Sequence, residues 1–96
     1  MEKENVLAAL KRLKIRVRKS KKDEKEFSLE IMPSAVGSVR DIAKALEVKI
    51  SQSFAGQFEE MKIFEHNSTK VLNLSGCSGL LYEILIEASH MKGVWV

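Results

Sequence analysis

Two short stretches of this chain alternate apolar and polar residues, and a polar run joins them. Ile15 and Val17 alternate with Arg16 and Arg18, and Phe27, Leu29 and Ile31 alternate with Ser28 and Glu30. Strand side chains project to opposite faces with a period of two, so the pattern predicts a β-hairpin over residues 14–32. Both apolar sets reach one face only if the paired residue numbers sum to an even value. With the tip at Lys21-Lys22-Asp23-Glu24-Lys25, this sets Ile15 opposite Ile31, Val17 opposite Leu29 and Arg16 opposite Glu30. Pro33 then ends the second strand.

The remaining elements follow around this hairpin. Val6, Leu7, Leu10 and Leu13 recur at helical spacing, with Glu2 and Glu4 ahead of them and Lys11 and Arg12 behind. That order suits the helix dipole and predicts a short helix over 2–13. Ser38, with Asp41 three positions on, resembles a capping pair at the start of a second helix. Ile42, Leu46, Ile50, Phe54 and Phe58 keep to one broad face of it. Over 47–58 a strand competes, because Leu46, Val48 and Ile50 also alternate. A helix to about Phe54, broken at Ala55-Gly56, is preferred. Residues 60–75 predict a second hairpin about the polar turn His66-Asn67-Ser68-Thr69. Gly76-Cys77-Ser78-Gly79 is a tight break, and a third helix is expected from Leu80 to Met91, stopped at Gly93. Val94-Trp95-Val96 is either a final edge strand or a tail. The expectation is a single α+β domain, residues 1–96, in the order α-ββ-α-ββ-α. Its antiparallel sheet of two hairpins would be packed by helices on one face.

Composition narrows the class. At 45% hydrophobic and 30% charged the chain has the content of a folded domain rather than a disordered one. No apolar run approaches a membrane-spanning length. Met1-Glu2-Lys3-Glu4-Asn5 does not read as a secretory signal, and Cys77 is the only cysteine. A reducing, cytoplasmic location is the expectation. Asn67-Ser68-Thr69 matches a glycosylation acceptor but is read as a turn. Lys and Glu supply 23 residues against five Asn and Gln, a lean toward a thermophilic source.

The net charge of +3 is unevenly spread. Residues 1–22 carry nine Lys or Arg and two Glu, a net of +7, whereas the remainder carries seven against eleven, a net of −4. Lys11, Arg12, Lys14, Arg16, Arg18, Lys19, Lys21 and Lys22 form the basic stretch. Alternating cations on an exposed strand can track a phosphate backbone, because phosphates need fixed positive charge and release counterions on binding. The same cations also protect an edge strand and favour a helix end, and Glu30 is placed to pair with Arg16. No aromatic is interleaved among them to stack on a base.

Other chemistry is weakly signalled. Cys77 ahead of a helix could be an activated thiol, or its surrounding amides could hold an anion. Neither a phosphate-loop nor a cysteine-phosphatase signature accompanies it. Ser78 as a plain N-cap beside a small, half-buried Cys77 accounts for the turn. His66, His90 and Cys77 stand at no metal-binding spacing, so no metal and no cofactor are expected. In the third helix Leu80, Leu81, Ile84, Leu85, Ala88 and Met91 form the core stripe, but Tyr82 and Ile86 lie off it. With Trp95, these two are the candidate surface for self-association.

The function expected is that of a small non-enzymatic binding domain, self-associating, with a basic hairpin that engages RNA or DNA. The alternative is a protein–protein module whose basic hairpin meets an acidic protein surface. An enzyme using Cys77 is the least favoured reading.

Overall fold

The computed structural model describes residues 2–33 and 37–91. In chain order these form α1 (Glu2–Arg12), β1 (Ile15–Lys19), β2 (Phe27–Ile31), α2 (Val39–Ser53), β3 (Glu60–His66), β4 (Thr69–Ser75) and α3 (Gly79–Ser89). The fold is α+β, in the α-ββ-α-ββ-α order the sequence predicts.

The β1–β2 register is the one that alternation requires. Ile15 pairs with Ile31, Arg16 with Glu30 and Val17 with Leu29. Its polar tip is organised locally. The Ser20 hydroxyl accepts from the amides of Lys22 and Asp23, and Asp23 Oδ1 accepts from the Lys25 amide at 2.9 Å. The second hairpin closes through Asn67 and Ser68, both at positive φ (49° and 65°). Two such residues give the twist that a two-residue hairpin needs.

The two hairpins join through β2 and β4, which pair antiparallel, giving the sheet order β1-β2-β4-β3. The central strands contribute five fully buried side chains, Phe27, Leu29 and Ile31 from β2 and Leu72 and Leu74 from β4. The charged strands β1 and β3 fall at the edges, where their polar side chains keep water. The helices lie on one face. There α3 and α1 meet β1, α2 meets β2 and β4, and α1 packs on α3. Lys3 of α1 pairs with Glu87 of α3 at 2.9 Å, which raises the Lys3 pKa through the Glu87 hydrogen bond and charge.

Residues 47–53 are helical, so the competing strand at Val48 does not form. Ser38 Oγ accepts from the Asp41 amide at 3.1 Å, and α2 then runs unbroken to a C-cap at Phe54. Ile42, Ala43, Ile50 and Phe54 are buried, whereas Val48 is exposed. Phe58, expected on the same helical face, lies beyond the helix and is half-buried against the core.

Two expectations about α3 are corrected. The helix stops at Ser89 rather than Met91. The amides of His90 and Met91 bond back only three residues, to Glu87 and Ala88, and Ser89 Oγ donates to the Ile86 carbonyl at 2.7 Å. This tightened last turn ends the element. Gly93, the expected stop, and the Val94-Trp95-Val96 segment lie outside the described residues. At the other end Ser78 holds the N-cap position, but its side chain makes no capping bond. The cap comes from Gln57. Its side-chain oxygen accepts from the Leu81 amide at 2.8 Å, and its backbone carbonyl accepts from the Ser78 amide at 2.8 Å.

Candidate nucleic-acid interface

With three helices on one side, the other face of the sheet has no described helix over it. Even-numbered residues of β1, β2 and β3 and odd-numbered residues of β4 share that face, and the register aligns them in rows. One row runs Arg16, Glu30, Val71, Phe64; the next runs Arg18, Ser28, Asn73, Lys62. Arg16 and Arg18 stand at one edge, with side chains 47% and 54% exposed. Phe64 stands at the other, 49% exposed, beside Lys62. Three strand spacings separate Arg16 from Phe64, roughly 14 Å. Val71 is buried even though it lies on this face, between Glu30 and Phe64 in its row. Asn73 Nδ2 donates to Ser28 Oγ at 3.2 Å and ties the second row together.

The absence of an aromatic among the cations is therefore a feature of the linear sequence only. Phe64 arrives from the second hairpin, carried onto the same face by the β2–β4 pairing. The alternation Lys62-Ile63-Phe64 is the local signal that Phe64 and Lys62 share a face. Which face it is depends on the order of strands in the sheet.

The basic stretch does not form one surface. Lys11 and Arg12 end α1, within the helical layer. Lys14 occupies a left-handed turn at φ 56° that leads into β1. Arg16 and Arg18 are on the open face. Lys19 ends β1 with the parity of the buried Ile15 and Val17, although it is itself exposed. Lys21 and Lys22 lie in the β1–β2 loop. Glu30 sits between the two arginines, 2.8 Å from Arg18 Nε and 3.9 Å from Arg16 Nε. Lys62 pairs with Glu60 at 3.4 Å. Exposed pairs of this kind contribute about 0–1 kcal/mol each, so a phosphate can compete for these cations. Among the described strand residues of this face, Arg16, Arg18 and Lys62 outnumber Glu30 and Glu60, a net positive count.

Cys77 is not half-buried, as expected, but wholly enclosed. Burial, with the charge of Asp23, pushes its thiol from 9.0 up to about 11, the opposite of what a nucleophile needs. Gln57 already occupies the start of α3, where an anion would have to sit. Among the described residues, no group of three or more His, Cys, Asp or Glu could hold a metal ion. No described helix is long and apolar enough to cross a membrane. Tyr82 and Ile86 are each half-buried against the core, with the Tyr82 ring edge-on to Phe27 at 5.8 Å. Trp95 lies outside the described residues.

No protein-family model, no curated protein and no solved structure matches this chain.

Proposed function

We propose that the protein is a small binding domain that takes single-stranded nucleic acid across the open face of its sheet. Arg16 and Arg18 hold phosphates at one edge, Lys62 holds another, and Phe64 offers its ring to a base. One observation carries this reading: cations and an exposed aromatic are aligned on a sheet face that no described helix covers. Such a face suits an unpaired strand, whose bases are free to turn toward a ring. Lys14, Lys21 and Lys22 lie at the ends of β1 and its loop and add to the field near that edge. Lys11, Arg12 and Lys19 belong to the helical side and contribute only at longer range.

Titration of labelled mixed-sequence single strands at low salt tests this reading. Binding is expected, weaker for Arg16→Glu/Arg18→Glu and for Phe64→Ala. No detectable binding at low salt, or binding indifferent to all three substitutions, would overturn it. A second reading rests on Glu30, which already bridges both arginines and would favour an acidic protein ligand that rearranges this pairing. Self-association through Tyr82 and Ile86 is compatible with either ligand, because α3 lies on the opposite side of the sheet; Trp95, the third residue of that expectation, lies outside the described residues.

A further inference from the structure

The β3 strand is exposed in a way the other strands are not. The helices pack over β1, β2 and β4, and none of those described makes an extensive contact with β3. Of its seven residues, Met61 is half-buried and the other six are exposed. Ile63 and Phe64, adjacent in the strand, are 40% and 49% exposed and point to opposite faces. As the last strand of the order β1-β2-β4-β3, it also has one backbone edge without a strand partner among the described residues.

The hairpin turn fixes which peptide groups lie on that edge. A two-residue turn makes His66 and Thr69 a hydrogen-bonded pair, and the bonding then alternates along the ladder. His66, Phe64, Lys62 and Glu60 thus bond toward β4. Met61, Ile63 and Glu65 direct their N–H and C=O groups outward.

We propose that β3 is a self-association edge, at which two copies of this chain pair antiparallel about a two-fold axis through Ile63. The strand is complementary to itself in that register. The outward groups of Met61, Ile63 and Glu65 meet those of the partner's Glu65, Ile63 and Met61. On the open face Glu60 falls opposite the partner's His66, and Lys62 opposite the partner's Phe64. On the helical face the two Ile63 side chains meet. No like charges oppose one another. Slipping the register by two residues one way sets Lys62 against the partner's Lys62 and Glu65 against its Glu59. The opposite slip shortens the ladder, setting Met61 against the partner's Asn67 in its hairpin turn. Like charges directly opposite one another disfavour a register.

Pairing in this way makes one eight-stranded sheet, roughly 34 Å across its strands. The two Phe64 rings and two Lys62 side chains come together at its centre, with Arg16 and Arg18 at both outer edges. The contact is a single strand edge, so the dimer is expected to depend on concentration.

Sedimentation equilibrium without nucleic acid, from low micromolar to high micromolar protein, tests the proposal. A concentration-dependent dimer is expected. Ile63→Lys, which places like charges on the two-fold axis, should weaken it by roughly fivefold. Its fold is checked by far-UV circular dichroism. Oxidation of Ile63→Cys should trap a disulfide-linked dimer, and Arg16→Glu/Arg18→Glu should leave the association unchanged. A monomer at every concentration overturns the proposal. So does a dimer indifferent to Ile63→Lys and lost on Ile86→Glu, which would assign the interface to α3. Because the samples contain no nucleic acid, these outcomes are independent of the nucleic-acid reading.

Discussion

Cys77 has no exposed surface, and its thiol is raised to about 11 by its enclosure and by the charge of Asp23. A thiol that titrates near 9.0 when unfolded and near 11 when folded keeps its proton longer in the folded state. The linked stability is therefore intact below about pH 9 and declines as pH rises toward 11. Each tenfold change in proton affinity is worth about 1.4 kcal/mol, so the loss approaches 2–3 kcal/mol. Denaturation between pH 8 and 11 should show the decline, and Cys77→Ala should flatten that part of the profile. Alkylation of the native protein at pH 8 is expected to be far slower than that of the unfolded chain. Rapid labelling of the native thiol would contradict an enclosed, protonated Cys77. Phe64 is the converse case, a large apolar side chain held on the surface. Phe64→Ala should leave stability nearly unchanged while weakening single-strand binding by roughly 1–3 kcal/mol, the contribution of one base stacked on one ring. Parallel melting and binding measurements separate the two effects.

At the scale of elements, the start of α3 is set by a residue more than twenty positions earlier in the chain. Gln57 accepts from both Ser78 and Leu81, and Gly79 adopts φ 61° directly beneath it. A side chain at Gly79 would press on Gln57 Oε1 at 3.1 Å. Gln57→Ala should cost about 1 kcal/mol in chemical denaturation, whereas Ser78→Ala should cost little. The reverse ranking would return the cap to Ser78. The contrast also marks what local sequence can convey. The β1–β2 register is legible because alternation and parity leave one pairing that buries both apolar sets. The Ser38 cap is legible because the bond is local. The Gln57 cap is not, because it crosses from one loop to another and has no short-range pattern. The sequence pattern misplaces the end of α3 for a related reason. The apolar stripe continues to Met91, but a Ser89 back-bond and a tightened turn stop the helix first.

At the scale of the molecule, the face opposite the helices is where the two hairpins combine. Each supplies part of a row: Arg16 and Glu30 from the first, Val71 and Phe64 from the second. The cations can be found in the sequence and placed on the solvent side of β1. The aromatic cannot be put beside them, since that requires knowing that β2 pairs with β4. Long-range pairing of this kind leaves no periodic trace in the chain. The same assembly divides the basic stretch, so that of its eight cations only Arg16 and Arg18 stand on the open face within strands. On the proposed reading, with phosphates held at Arg16, Arg18 and Lys62, a definite ionic response is expected. For a single strand the logarithm of the binding constant should fall with the logarithm of salt at a slope of about −2. Removing both arginines should leave a slope of about −0.7.

That slope is the most direct measurement of whether the open face binds a single strand. Fluorescence anisotropy with a short mixed-sequence single strand, over a range of salt concentrations, would compare the native protein with Arg16→Glu/Arg18→Glu. The expected result is a slope of about −2 that falls by about two-thirds in the variant. A native slope near zero, or a slope unchanged by the substitutions, would contradict it and remove the open face as the binding surface.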